Sequence, residues 1–320
     1  MDQQKFEEAR REIDQAILLS HQDEEIGQST AQKLLERWQK EVSGTDLHTK
    51  HIKPSVKQAL SLSENGDFQQ AVQMYHILTQ SASEEREERA RAIIKFSHLL
   101  CQLGRVEEAR KLLERLKREE TTGISLSGAF FNAFGTVLLA TELFSEAIDA
   151  YQEAIRISPG YLNPCYGLGR TYLWLGKPYE ALKAFAEAKH CETQAFHEGK
   201  PIKAPLFWLY NGEGLANLLV HNETEASKIF SKAARLAQER QEKGLREHQV
   251  LNHLGLAYLG QGIYQDAEKA YREFSGVNGV SQVKGILQEM LFDIELIGSN
   301  TQVKGWHKIY ALIDHLLSGR

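Results

Sequence analysis

Apolar residues recur along this chain at the three-to-four spacing of an amphipathic helix, as in EEREERARAIIKF (84–96) and EARKLLERLKREE (108–120). No segment alternates apolar and polar residues over strand length between turn residues, and only six prolines interrupt 320 residues. The pattern predicts helix throughout. A long all-helical chain raises the question of whether it repeats.

It does. The spacing Ala-x3-large-x2-small or apolar occurs six times: Ala71/Tyr75/Leu78, Ala109/Leu113/Leu116, Ala147/Tyr151/Ala154, Ala181/Phe185/Ala188, Ala226/Phe230/Ala233 and Ala267/Tyr271/Phe274. Twelve residues before each alanine stands a small residue: Ala59, Ser97, Gly135, Gly169, Gly214 and Gly255. Five residues before each, where a turn is due, stand Gly66, Gly104, Glu142, Gly176, His221 and Gly262. Offsets of four and three put the alanine and its two followers on one helix face. A small residue on the preceding helix lets the two backbones approach, with the large side chain beside it filling the gap. Each unit is then a helix hairpin that cannot bury its apolar face alone, so neighbours must stack.

These residues resemble the tetratricopeptide repeat family. The resemblance is strongest in FNAFGTVLLATELFSEAIDAYQEAIRISPG (131–160), CYGLGRTYLWLGKPYEALKAFAEA (165–188) and LNHLGLAYLGQGIYQDAEKAYREF (251–274), and Pro159 falls where the family ends its second helix. The step from Ala147 to Ala181 is the family's period of 34, while the other steps are 38, 38, 45 and 41. The resemblance covers roughly residues 52 to 276 and implies an all-α, right-handed superhelical solenoid of about six hairpins. The expected organisation is a pair of capping helices in 1–50, the repeat array in 51–276 with a long loop at 192–206, and a second capping pair in 277–320.

The balance of 38 basic against 43 acidic residues, a net charge of −5, argues against nucleic-acid or anionic-membrane binding, which needs a basic surface. No apolar run is long enough to span a membrane and no apolar segment of a secretory leader is present, so a cytoplasmic protein is expected. Cys101, Cys165 and Cys191 have neither disulfide-framework nor metal-site spacing. Phosphate loops, zinc-binding pairs, nucleophile elbows and dinucleotide fingerprints are all missing. Gly167-Leu-Gly169 and Gly212-Glu-Gly214 fall inside helices, where packing accounts for them. No enzyme activity, cofactor or metal is therefore expected. Charge runs such as 84–91 and 105–120 mix signs at helical spacing, which suits solvated faces supported by pairs one turn apart. Glu213 stands where the other clear units carry apolar residues, so either the helix phase is shifted, the favoured explanation, or Glu213 has a partner.

The family resemblance also implies where a partner would sit, because positions 2, 5, 6 and 9 of the first helices line its concave surface. Here these give an asparagine at one equivalent position in three units (Asn132, Asn211, Asn252), joined by Tyr166 and Arg170. They also give a basic group, Lys53, Lys57, Arg91 and Lys95, similar to the pockets with which some family members clamp a terminal carboxylate. An asparagine amide both donates and accepts, so a spaced row could pair with an extended backbone. The expected function is a non-catalytic adaptor or scaffold that holds a peptide segment or helix of a partner protein. A peptide-sensing regulatory module, an enzyme hidden in a helical scaffold, and self-assembly through the end helices are the alternatives.

Overall fold

The computed structural model describes residues 54–80, 86–120, 127–197, 206–242, 247–277, 279–301, 303 and 305–319. The helices expected in 1–50, together with Lys53, lie outside them. Among the described residues there is no strand. The helices are α1 (Val56–Glu64), α2 (Phe68–Gln80), α3 (Arg86–Gln102), α4 (Val106–Glu120), α5 (Gly128–Ala140), α6 (Phe144–Ile157), α7 (Leu162–Trp174), α8 (Pro178–His197), α9 (Phe207–Leu219), α10 (Glu223–Gln241), α11 (Glu247–Gly260), α12 (Tyr264–Gly276), α13 (Lys284–Asn300) and α14 (Trp306–Ser318). α1 to α12 pair in sequence as hairpins, each unit packing on the next. The stretch expected as a loop at 192–206 is helical as far as His197, because α8 continues beyond the repeat pattern. Residues 198–205 lie outside the described set.

Each hairpin turns on one backbone device. Gly66, Gly104, Glu142, Gly176, His221 and Gly262 all have positive φ, between 59° and 83°. The next residue's N–H reaches back to the carbonyl five positions earlier, from Asp67 to Leu62, Arg105 to Leu100, Leu143 to Leu138, Lys177 to Tyr172, Asn222 to Asn217 and Ile263 to Tyr258. This left-handed cap satisfies carbonyls that the helix end leaves unpaired, and glycine adopts it without a Cβ penalty. Glu142 and His221 hold the same geometry at φ 59°.

The small-residue spacing is a ring interlock. A Cβ built on Gly169 would run into the Phe185 ring, one on Gly214 would lie 2.7 Å from Phe230, and one on Gly255 2.8 Å from Tyr271. The next unit closes the other side in two cases: a Cβ on Gly167 would run into the Tyr151 ring, and one on Gly212 would lie 2.7 Å from Phe185. Both glycine pairs are thus packing features, and Gly212 and Gly214 keep α9 in the common phase. Glu213 is accommodated by a partner instead of the expected phase shift: Lys189 Nζ lies 2.6 Å from its Oε1. The charge runs carry pairs one turn apart, Glu87–Arg91, Arg110–Glu114 and Arg115–Glu119.

The segment after α12 does more than follow the last hairpin. A Cβ built on Gly279 would lie 3.1 Å from the Gly66 carbonyl oxygen and 3.3 Å from the Phe68 ring, and Phe68 meets His248 edge-on at 5.9 Å. α13 then packs on the first helices α3, α9 and α11, and α14 packs on α12 and α13. Leu287, Met290, Ile294 and Ile297 of α13 are at most 1% exposed. Each such side chain contributes about 1.5–3 kcal/mol on burial, so α13 is part of the core.

Candidate functional site: the face of the first helices

Lys57 on α1 and Arg91 and Lys95 on α3 are exposed. Arg91 pairs with Glu87 and Glu88 on its own helix, while Lys57 and Lys95 have no ion-pair partner among the described residues. His98, one turn beyond Lys95, is pulled down to about 4 by burial and then by the Lys95 charge, so it is neutral at pH 7.

The rest of the expected site is in a different environment. Asn132, Asn211 and Arg170 are 3%, 1% and 5% exposed, and Tyr166 and Asn252 are half-buried. The expectation that the asparagines form a row facing solvent is therefore corrected at Asn132 and Asn211. Asn211 is satisfied within the fold: its Nδ2 donates to the His253 carbonyl at 2.8 Å and lies 3.3 Å from His253 Nδ1. Its Oδ1 is buried without a hydrogen-bond partner among the described residues. Tyr166 meets the Trp208 ring edge-on at 4.2 Å.

Arg170 is covered by α13. Its Nη1 donates to Asp293 Oδ1 at 2.7 Å, and its guanidinium stands 6.0 Å from the Phe292 ring centre. Phe292 in turn stacks on Trp174, one turn further along α7, at 4.0 Å and 7°. At its other end α13 crosses the C-terminus of α3 so closely that a Cβ on Gly285 would collide with the Cys101 carbonyl oxygen. Burial opposes the Arg170 charge, but Asp293, Tyr166 and Glu289 outweigh it and hold the guanidinium firmly protonated. Burial first and Arg170 second pull His253 down to about 3. Glu289 of α13 has an exposed side chain, yet surrounding protein raises its carboxyl, opposed by Arg170 and aided by Asp293. The residues that sequence reasoning missed are Trp174, Glu289, Phe292 and Asp293. The available signal was Asp293, a lone carboxylate in the apolar run MLFDI, and Gly285 inside a helix.

No group of three or more His, Cys, Asp or Glu side chains that could hold a metal occurs among the described residues. No helix there is long and apolar enough to cross a membrane.

Stacked hairpins with interlocking glycines and rings define a helical-repeat solenoid. Two tetratricopeptide repeat models match the chain, one over residues 62–123 and 138–198 and the other over 94–161. Between residues 62 and 198 the chain carries tetratricopeptide repeats. No curated protein matches it significantly. Among solved structures it is similar to BtubC from P. vanneervenii (15% identity, 67% of this chain and 89% of that one, TM-score 0.46). It is also similar to a thermophilic tetratricopeptide repeat protein of Thermus thermophilus (17%, 65% and 98%, 0.45) and to MamA (22%, 60% and 99%, 0.41). None of these likenesses bears on the function of this chain. Repeats of this family generally mediate protein–protein interaction and scaffolding, and such proteins are typically non-catalytic.

Proposed function

We propose that the protein is an adaptor or scaffold that holds a peptide segment or helix of a partner protein along its first helices, with the partner's acidic side chains on Lys57, Arg91 and Lys95. The observation that carries this reading is α13. The first helices already hold one amphipathic helix of this chain by an arginine–carboxylate pair and a stacked aromatic pair, Arg170–Asp293 and Trp174–Phe292. Side chains at these positions are thus chemically suited to gripping a helix. Where α13 lies, Arg170 and Asn211 are taken up within the fold; Lys57 and Lys95 have no such partner among the described residues. These two exposed cations are the available counterpart for carboxylates, and their contribution would be largest in association rate and salt dependence.

The test is reversal of charge at both ends of this stretch. Lys57→Glu with Lys95→Glu should remove the proteins that co-purify with the wild-type chain, while Lys183→Glu on the second helix α8 should retain them. Retention of the same proteins by both variants, at unchanged salt sensitivity, contradicts the reading.

A further inference from the structure

Two kinds of interface hold this chain together, and they differ in chemistry. The repeat hairpins set glycine against ring, and α13 with α14 uses the same device: a Cβ on Gly298 would run into the Trp306 ring. α14 is also the helix on which α13 packs most extensively. The contact of α13 with α7 is made differently. It consists of an ion pair, Arg170–Asp293 at 2.7 Å, and a flat stack of Trp174 on Phe292 at 4.0 Å, with the guanidinium 6.0 Å from the same ring. Arginine and aromatic side chains are the types enriched where separate proteins meet. A buried ion pair fixes register and adds little net stability, because desolvation offsets its attraction. The α13–α14 hairpin joins the repeat array through the left-handed Gly279, at φ 77°, and a single 3-10 turn, Val280–Gln282.

We propose that the α13–α14 hairpin is a built-in occupant of the first-helix face, displaced by a partner helix that carries an aromatic residue followed directly by an aspartate. The chemistry of that partner is read from α13. Leu287, Met290, Ile294 and Ile297 are buried at i, i+3, i+7 and i+10, with Phe292 and Asp293 at i+5 and i+6. A competing helix with this pattern offers Trp174 a ring and Arg170 a carboxylate, so neither end of the exchange leaves the guanidinium buried and uncompensated. The hairpin lifts as a unit and keeps the burial between α13 and α14. It gives up its seat on α7, α9 and α11 and its crossing of α3 at Gly285. With the hairpin seated the face is closed, so the apparent affinity for the partner is lowered in proportion to the fraction of molecules that are open. This extends the adaptor reading without using Lys57, Arg91 or Lys95, so the two fail independently.

The probe is a fluorescein-labelled peptide of Lys284–Asn300, followed by fluorescence anisotropy with the full-length protein. Phe292→Ala with Asp293→Ala in the protein loosens the resident helix, and this variant should bind the peptide at least about tenfold tighter than the wild type does. A peptide with alanine at both of those positions should lose the binding. Equal binding by wild type and variant, no binding by a variant that keeps the wild-type circular dichroism, or undiminished binding of the alanine peptide overturns the proposal. Hydrogen exchange on the wild-type chain provides the test even where the variant folds poorly. Amides of α13 and α14 should exchange together, through an opening that leaves α7 and α9 protected. Exchange of α13 only with global unfolding, at the same rate as α7 and α9, overturns it.

Discussion

Lys95 and Arg170 occupy the face of the first helices two units apart and live in opposite surroundings. Lys95 is exposed with no ion-pair partner among the described residues, whereas Arg170 is 5% exposed and bonded to Asp293. They hold different places in their units, Lys95 two positions before the small residue Ser97 and Arg170 one after Gly169. They differ too in what covers them: α13 meets α7 through Arg170–Asp293 and Trp174–Phe292, whereas it meets α3 at Cys101 near the end of that helix. The lesson is that a repeat position fixes the direction of a side chain relative to its own hairpin, and a non-repeating helix decides whether that direction is wet or dry.

The comparison breaks most visibly at Asp293. Asp293→Ala strands the Arg170 guanidinium in a buried site, and the expected loss in stability is about 3–5 kcal/mol in denaturant unfolding, typical of removing one partner of a buried pair. A loss below about 1 kcal/mol would mean that Arg170 is hydrated and the two regions are alike.

How much of this was legible in the sequence depends on the range of the forces involved. The six turns and the ring interlock arise within one hairpin or between neighbours, so their constraints recur at fixed spacing: Gly104 and His221, or Gly169 and Phe185, could be read off directly. The seat of α13 depends on contacts more than a hundred residues apart, such as Arg170 with Asp293, and these leave no periodic trace. The burial of Asn132 and Asn211 was not legible in their spacing. The Asn211 amide donates to the His253 carbonyl, 42 positions away on α11. Glu213 was noticed as an anomaly, and only the fold supplied Lys189 as its partner.

A second effect, shared by both regions, depends on pH. His98 beside Lys95 and His253 beside Arg170 are neutral in the folded chain down to about 4 and about 3. The unfolded chain takes up those protons from about pH 6.5 downward, so it binds more protons than the folded chain and stability falls on acidification. Between about pH 6.5 and 5 the loss is roughly 1–2 kcal/mol for each histidine. His98→Gln and His253→Gln should each remove one share of that pH dependence in thermal unfolding. A slope unchanged by either variant would show that the ring it removes is protonated alike in both states.

The smallest effect is expected at the exposed cations. Lys57→Ala and Lys95→Ala should change stability by less than about 0.5 kcal/mol in denaturant unfolding, as surface positions do. A larger loss would place these lysines in a network that the folded chain depends on, and would weaken their case as partner contacts.

The contact between α13 and the first helices is tested most directly by a double-mutant cycle on Arg170→Met and Asp293→Asn, measured by denaturant unfolding of the wild-type chain, both single variants and the double variant. Residues in one buried ion pair should show a coupling of about 1–3 kcal/mol, with the double variant more stable than the sum of the single losses implies. Additive losses, with a coupling below about 0.3 kcal/mol, would contradict the placement of α13 against α7.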